Sequence, residues 1–243
     1  LVDAVSTDPA CLSSCDLVIL SLPIPALLAP ESTLLEAIPE SAVVTDVGSV
    51  KQPVLEVWRS LHPRFVASHP MAGTASAGVE AGQTGLFRGR PWIATPEAGT
   101  DPTAVEVVRT LAHDLGSQWH TASAEQHDQA VALISHMPVL VSAALLRTAG
   151  DERDPEIRQL AQSLASSGFA DSTRIGGGNP DLGVAMASSN SAAVLKALAA
   201  YRWSLEQLED AVLRNNWQQL HRELKRTQSL RPDYQQSSPA GAP

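Results

Sequence analysis

Short apolar runs that end in small polar residues recur through the first half of the chain. Leu17-Val18-Ile19-Leu20 runs into Ser21-Leu22-Pro23, Ala42-Val43-Val44 into Thr45 through Lys51, and Phe65-Val66-Ala67 into Ser68-His69-Pro70-Met71-Ala72-Gly73. Runs this short, bounded by turn residues, read as buried strands. The intervening segments 26–37 and 52–61 carry apolar residues at helical spacing, so strand-helix-strand units follow one another and predict a parallel sheet. Pro91 to Thr95, a helix from Pro102 to Asp114 and a short strand at Gln118-Trp119-His120 continue the alternation, and residues 1–121 are expected to form a doubly wound α/β domain.

The ends of those runs are the chemically interesting part. An open α/β sheet binds its ligands in the crevice beyond the carboxyl ends of its strands. Pro70 cannot continue a ladder and Gly73 frees the backbone to turn, so His69 should project into that crevice. A lone His at a strand end is as easily a satisfied structural group, but here three strands end in the same manner. Gly48 is expected to let the backbone approach a ligand closely.

The glycine-rich turn that opens a dinucleotide fold, G-x-G-x-x-G between the first strand and helix, does not occur in this sequence. Gly176-Gly177-Gly178 follows no strand and is expected to be a loop. Because the sequence starts without Met and mid-pattern at Leu1-Val2-Asp3, the expectation is an incomplete sheet lacking a βαβ unit of roughly thirty residues.

Beyond residue 121 the pattern turns wholly helical. Ser123-Ala124-Glu125-Gln126 fits a capping box, and Ala130, Val131, Leu133, Ile134, Met137, Leu140 and Val141 make a helix apolar nearly all round, which predicts burial. Pro138 should kink it, with His136 just ahead of the kink and the carbonyl near Ile134 freed. His127 and Asp128 are expected to be capping and solvated groups. One long closing helix is predicted from Val194, Leu198, Tyr201, Leu205, Leu208 and Val212, the stripe resuming one residue late at Leu213, Trp217, Leu220 and Leu224; it suits core packing or a subunit interface. From Leu164 to Pro180, glycines and small polar residues around Arg174 suit a loop presenting a guanidinium to a carboxylate.

Charge and composition narrow the class. With 17 Lys and Arg against 26 Asp and Glu, the formal charge of -9 argues against nucleic acid. No apolar stretch is expected to span a membrane. Cys11 and Cys15, spaced C-x3-C with no second pair, read as reduced thiols, and no metal site is expected. A helical domain is assigned to residues 122–230 and a disordered tail to 231–243.

Taken in order, Asp46 through Lys51, Ser68-His69-Pro70-Met71-Ala72-Gly73, His127-Asp128-Gln129-Ala130, Ser135-His136-Met137-Pro138 and Ser167-Gly168-Phe169 through Arg174 resemble the prephenate and arogenate dehydrogenases of tyrosine biosynthesis. The wording of Ser135-His136-Met137-Pro138-Val139 and of Arg174-Ile175-Gly176-Gly177-Gly178-Asn179-Pro180 is most similar to the cyanobacterial arogenate-type members. The resemblance implies a cytoplasmic oxidoreductase: a Rossmann-type domain, a helical domain that binds substrate and forms a homodimer, and NADP as cofactor with NAD as the other option. It also implies oxidative decarboxylation of arogenate, or of prephenate, by hydride transfer. His69 would be the general base, Ser49 would orient the imidazole or the substrate hydroxyl beside the nicotinamide, Arg174 would hold the side-chain carboxylate, and His136 would line the pocket. Ser21, Pro23, Gly48 and Ser49 would border the cofactor. Two alternatives remain: a β-hydroxyacid-type dehydrogenase, expected to use a helical Lys where this chain offers His136, and a non-catalytic dimerisation or regulatory module.

Overall fold

The computed structural model describes residues 2–73, 78 and 82–234. β1 (Leu17–Leu20), β2 (Val43–Asp46) and β3 (Phe65–Val66) lie side by side in the order β1-β2-β3, all parallel, with Leu20 opposite Asp46 and Thr45 opposite Val66. After Ala67 the same chain direction continues as β4 (Ser68–Pro70), which pairs antiparallel with β5 (Pro91–Ala94); β5 in turn pairs parallel with β6 (Gln118–Thr121). The sheet predicted as parallel thus contains one antiparallel junction, and His69 lies on it, opposite Ile93.

Alternation along the strands sends neighbouring side chains to opposite faces. Val44 faces a core with Leu27, Val54 and Trp58, from α1 (Ile24–Leu28) and α3 (Gln52–Trp58), whereas Val43 and Val66 face a second core with Ala104 and Val108 of α4 (Pro102–Asp114). Helices therefore cover both faces. Trp58 stacks on Phe65 and donates its indole N–H to the Leu27 carbonyl at 2.8 Å, which satisfies the one polar atom of a fully buried ring. Where the pattern suggests one helix over 26–37, Pro30 divides it: α1 ends at Leu28 and α2 spans Ser32–Ala37.

The helical half opens at α5 (Ala124–Val131) with the capping box present in both directions, Ser123 Oγ accepting from Gln126 N and the Gln126 side chain accepting from Ser123 N. A π-helical turn over Ala132–His136 leads into α6 (Met137–Gly150). The predicted kink is this turn, since Pro138 has no N–H with which to close the regular ladder. The helices α7 (Pro155–Leu164), α8 (Ser167–Thr173), α9 (Pro180–Ser189), α10 (Ser191–Leu213) and α11 (Trp217–Leu230) follow.

Three expectations change here. The stretch 164–180 holds a helix, α8, and Gly176 after it packs tightly: its N–H donates to Ser142 Oγ at 2.9 Å, and a Cβ there would overlap the Ala143 nitrogen and the Ser142 backbone. The closing helix is two, because Asn215 takes a left-handed φ of 53° between α10 and α11, at the place where the stripe skips a residue. Burial of the 124–150 helix is one-sided: Ala132 and His136 are buried, but Ile134 is 55% exposed. This helix is long and apolar enough to cross a bilayer by length and hydropathy alone, but its His127, Asp128 and His136 are committed to contacts inside the protein. Trp203, Leu213 and Trp217 on α10 and α11 are also exposed, and the buried core of the helical half is small, Ala132, Val194 and Ala197. The expected tail at 231–243 begins as a 3-10 turn, Arg231–Tyr234, and its remainder lies outside the described residues.

Candidate active site

Three parallel strands ending at one level place the turn 47–51, Ser21 to Pro23 and His69 along the same edge. Ser21 and Pro23 are exposed just past the end of β1, Pro23 as the residue before α1. Gly48 departs from its expected use. Its N–H donates to Asp46 Oδ2 at 2.9 Å, and a Cβ there would meet Leu27 Cδ1 at 2.9 Å and Asp46 Oδ2 at 3.0 Å, so the missing side chain admits the protein's own core rather than a ligand.

His69 stands between the two halves of the molecule. Its Nδ1 lies 2.9 Å from Nε2 of His127, whose Nδ1 lies 2.7 Å from Asp128 Oδ1. The two residues expected to be solvated are instead buried, His127 being 1% exposed. Asp128 is held by backbone as well: Lys51 N and Gln52 N donate to its two oxygens at 2.7 and 2.9 Å, at the start of α3. An ionised carboxylate only accepts, so His127 must donate from Nδ1. With both rings neutral, His127 Nε2 is then bare and accepts from His69 Nδ1. That leaves His69 Nε2 with its lone pair directed away from the chain of hydrogen bonds, in the form a general base needs.

The electrostatics agree with that assignment. Burial pushes His69 well below the ordinary histidine value, and Lys51, His127 and His136 push it further in the same direction. His136 is also lowered, first by burial, while Asp128 and the Ser49 backbone draw it back up. Its Nδ1 is 3.2 Å from the Asn190 side-chain amide, which also donates to the Asp128 carbonyl at 2.7 Å. Among the described residues no hydrogen bond of good geometry closes on His136 Nε2, which the Ser49 backbone approaches, or on Ser49 Oγ, and both atoms are buried. Leaving such atoms unpaired costs about 1–3 kcal/mol each. They are the natural partners for polar groups of a bound ligand.

Arg174 is exposed at the end of α8 and shares no hydrogen bond or ion pair with the His69 cluster. The site thus brings together His69, Ser49 and His136 of the expected residues and adds His127, Asp128, Lys51 and Asn190. Among the described residues no cluster of ligating side chains suits a metal ion.

Two family models match this chain, one described as prephenate dehydrogenase, nucleotide-binding domain, over residues 1–121, the other as prephenate dehydrogenase, dimerization domain, over 123–226. Cyclohexadienyl dehydrogenase of Zymomonas mobilis is 30% identical over 219 residues, which cover 89% of this chain and 74% of the relative. Prephenate dehydrogenase of Bacillus subtilis is 36% identical over 141 residues, covering 57% of this chain and 38% of the relative. Among solved structures, Synechocystis arogenate dehydrogenase shares 40% identity at a TM-score of 0.80, covering 95% of this chain and 83% of its own. Prephenate dehydrogenase of A. aeolicus, in complex with hydroxyphenyl propionate and NAD+, shares 31% at 0.86, covering 95% and 81%. With both its sheet domain and its helical domain matched in order, the chain belongs to the prephenate dehydrogenase family.

Proposed function

We propose that this protein oxidatively decarboxylates arogenate, with NADP as the hydride acceptor and His69 as the general base. Membership of the family supports NAD(P)-dependent oxidative decarboxylation in tyrosine biosynthesis as the reaction class. The choice of arogenate with NADP over prephenate with NAD rests on the motif wording and on the 40% identity to the Synechocystis arogenate dehydrogenase. The observation that carries the mechanism is the Asp128–His127–His69 chain, which uses Nδ1 of His69 and leaves its Nε2 without a partner among the described residues.

The residues fit a nicotinamide at this edge. Ser49 offers a buried hydroxyl without a partner, and Ser21 and Pro23 border the neighbouring strand end. When bound, the cofactor supplies the acceptor for the hydride that leaves the hydroxyl-bearing ring carbon. His69 Nε2 takes the hydroxyl proton as that hydride departs, a role worth roughly a hundredfold to ten-thousandfold. Ser49 and His136 hold the hydroxyl and its neighbourhood in place. Carbon dioxide then leaves, the electron pair of its bond aromatises the ring, and the phenolic oxygen recovers the proton from His69, which ends neutral as it began. Arg174, exposed and without an ion pair among the described residues, is proposed to hold the substrate's side-chain carboxylate.

We further propose that the protein works as a cytoplasmic homodimer joined through residues 122–230, with 1–121 as the cofactor domain. The half-open apolar surface of the helical domain, from Ile134 to Trp217, supports the dimer, as does the matched dimerization domain. Three imidazoles brought together from a strand end, His69, and from the helical half, His127 and His136, favour an enzyme over a non-catalytic module. The test is a comparison of specificity constants for arogenate and prephenate, each with NADP and NAD. The highest value is expected for arogenate with NADP; a clear preference for prephenate with NAD overturns that choice while leaving the base assignment standing.

A further inference from the structure

Behind His69 lies a buried ion pair for which the reaction has no direct use. Lys51 is fully buried, and its ammonium pairs with Asp46 Oδ2 and donates to the Ser68 carbonyl at 2.7 Å. Every other polar atom of Ser68 is also taken: its N–H donates to Asp46 Oδ1 at 3.0 Å, and its hydroxyl contacts the Asp46 carbonyl, Thr45 Oγ1 and the Trp92 indole N–H. The residue that precedes His69 is therefore gripped on all sides.

Stability alone is a poor reason for this arrangement. A buried ion pair often gains less from attraction than it loses in desolvation, and apolar replacements of like volume are commonly neutral or stabilising. Burial indeed draws the Lys51 ammonium below the usual lysine value, with Asp46 and Asp128 opposing. We propose that the Lys51 ammonium is a positioning group for His69, fixing the peptide that carries the imidazole and holding a positive charge beside the ring. This rests on the reading of His69 as the base. The charged and titratable groups around that ring are Lys51 and Asp46 from the β2 turn, His127 and Asp128 from α5, and His136 from the π turn. Of these, Lys51, His127 and His136 act against a proton on the ring, and Lys51 is the one held there as an ammonium by its own ion pair. Loss of Lys51 therefore favours a protonated His69, the form that cannot accept the substrate proton.

The test is the protonation midpoint of His69, followed by NMR of histidine-labelled enzyme without substrate, in Lys51→Met, Lys51→Gln and Lys51→Arg. Met removes charge and hydrogen bond; Gln keeps a donor for Ser68; Arg keeps the charge. The midpoint is expected to rise by about one pH unit or more in Met and Gln and to stay near the native value in Arg, with the acid limb of kcat/KM moving up in parallel. An unchanged midpoint in folded Met or Gln variants overturns the proposal, and so does failure of both to fold, since the ammonium would then serve the fold itself. The base reading is checked separately with His69→Asn: normal turnover there removes His69 from the reaction whatever the Lys51 variants do.

Discussion

Asp128→Asn separates two ways in which the carboxylate can matter, because an amide fits the same space with one acceptor replaced by a donor. Three N–H groups point at the two oxygens: Lys51 N and His127 Nδ1 at Oδ1, Gln52 N at Oδ2. If the amide oxygen takes the Oδ1 place, only Gln52 N–H is left facing a donor. If the amide is turned over, its NH2 faces Lys51 N–H and His127 must become the acceptor, which reverses both imidazoles and blocks His69 Nε2 with a proton. The first orientation strands a partly exposed N–H that water can reach at the start of α3, the second a fully buried one, so the first should dominate. The imidazole chain then keeps its sense and loses only the charge behind it. Replacing a charge-assisted hydrogen bond by a neutral one costs about 1–2 kcal/mol, or roughly five- to thirtyfold in kcat. Reversal of the tautomer costs far more, about ten-thousandfold in hydrolase triads. Stability should fall by about 2–4 kcal/mol through the weakened Lys51 and Gln52 contacts, a loss of roughly 5 to 15 °C in Tm for a chain of this size. Initial rates of reduced-cofactor formation and a thermal melt read both quantities. A rate within threefold of native, or one down by about four orders of magnitude, would refute the reasoning, the first by uncoupling Asp128 from the base and the second by showing that the amide turns over.

Four further outcomes are expected. His69→Asn should lower kcat by about a hundredfold or more while KM stays within severalfold; equal effects on both would point to binding instead. Arg174→Ala should raise KM by roughly thirtyfold or more through loss of a carboxylate partner, with Arg174→Lys recovering part of it, and an unchanged KM in both removes Arg174 from substrate binding. Gly176→Ala should destabilise the enzyme by about 1–3 kcal/mol or more, because the new methyl meets backbone at Ser142 and Ala143 rather than a side chain that can yield; a Tm equal to native contradicts the packing. Since His69 and His136 bind protons less readily folded than unfolded, stability contributed by their neutral forms is complete above the ordinary histidine value of about 6.5 and falls as pH drops below it, where the unfolded chain takes up protons first. Denaturant midpoints that stay flat from pH 7.5 down to about 5 would be inconsistent with those directions.

Local pattern makes the sheet legible and leaves the site half visible. Runs such as Val43-Val44 and Phe65-Val66 are short, β-branched or aromatic and bounded by turns, so their strand character needs no tertiary information. His69 and Ser49 are legible because a strand end fixes where they must project. The antiparallel pairing of β4 with β5 is invisible in the same residues, since direction depends on which strand lies alongside and not on periodicity. His127-Asp128 misleads for a related reason: one turn into a helix, two polar residues look like solvated capping groups, and only contact with the α3 start 77 residues away shows that they are buried acceptors. The all-round apolar surface of 124–150 reads as a core helix because composition does not distinguish packing within a chain from packing against another surface. Arg174 lies at the end of a helix that pattern reads as loop, so its place in the fold is not legible from the residues around it.

The grip of Asp128 on the main chain of Lys51 and Gln52 bears on how this enzyme can be recombined. A carboxylate that recognises two amide hydrogens is indifferent to the side chains they carry, so a helical half from one relative can seat against the sheet half of another without matching residues at that seam. The imidazole contact beside it needs only a histidine from each parent. Shuffled enzymes joined near residue 122 should therefore keep an intact base wherever both parents supply those two rings, and the forbidden exchange at the seam is a proline at position 51 or 52, which would delete a hydrogen the carboxylate depends on.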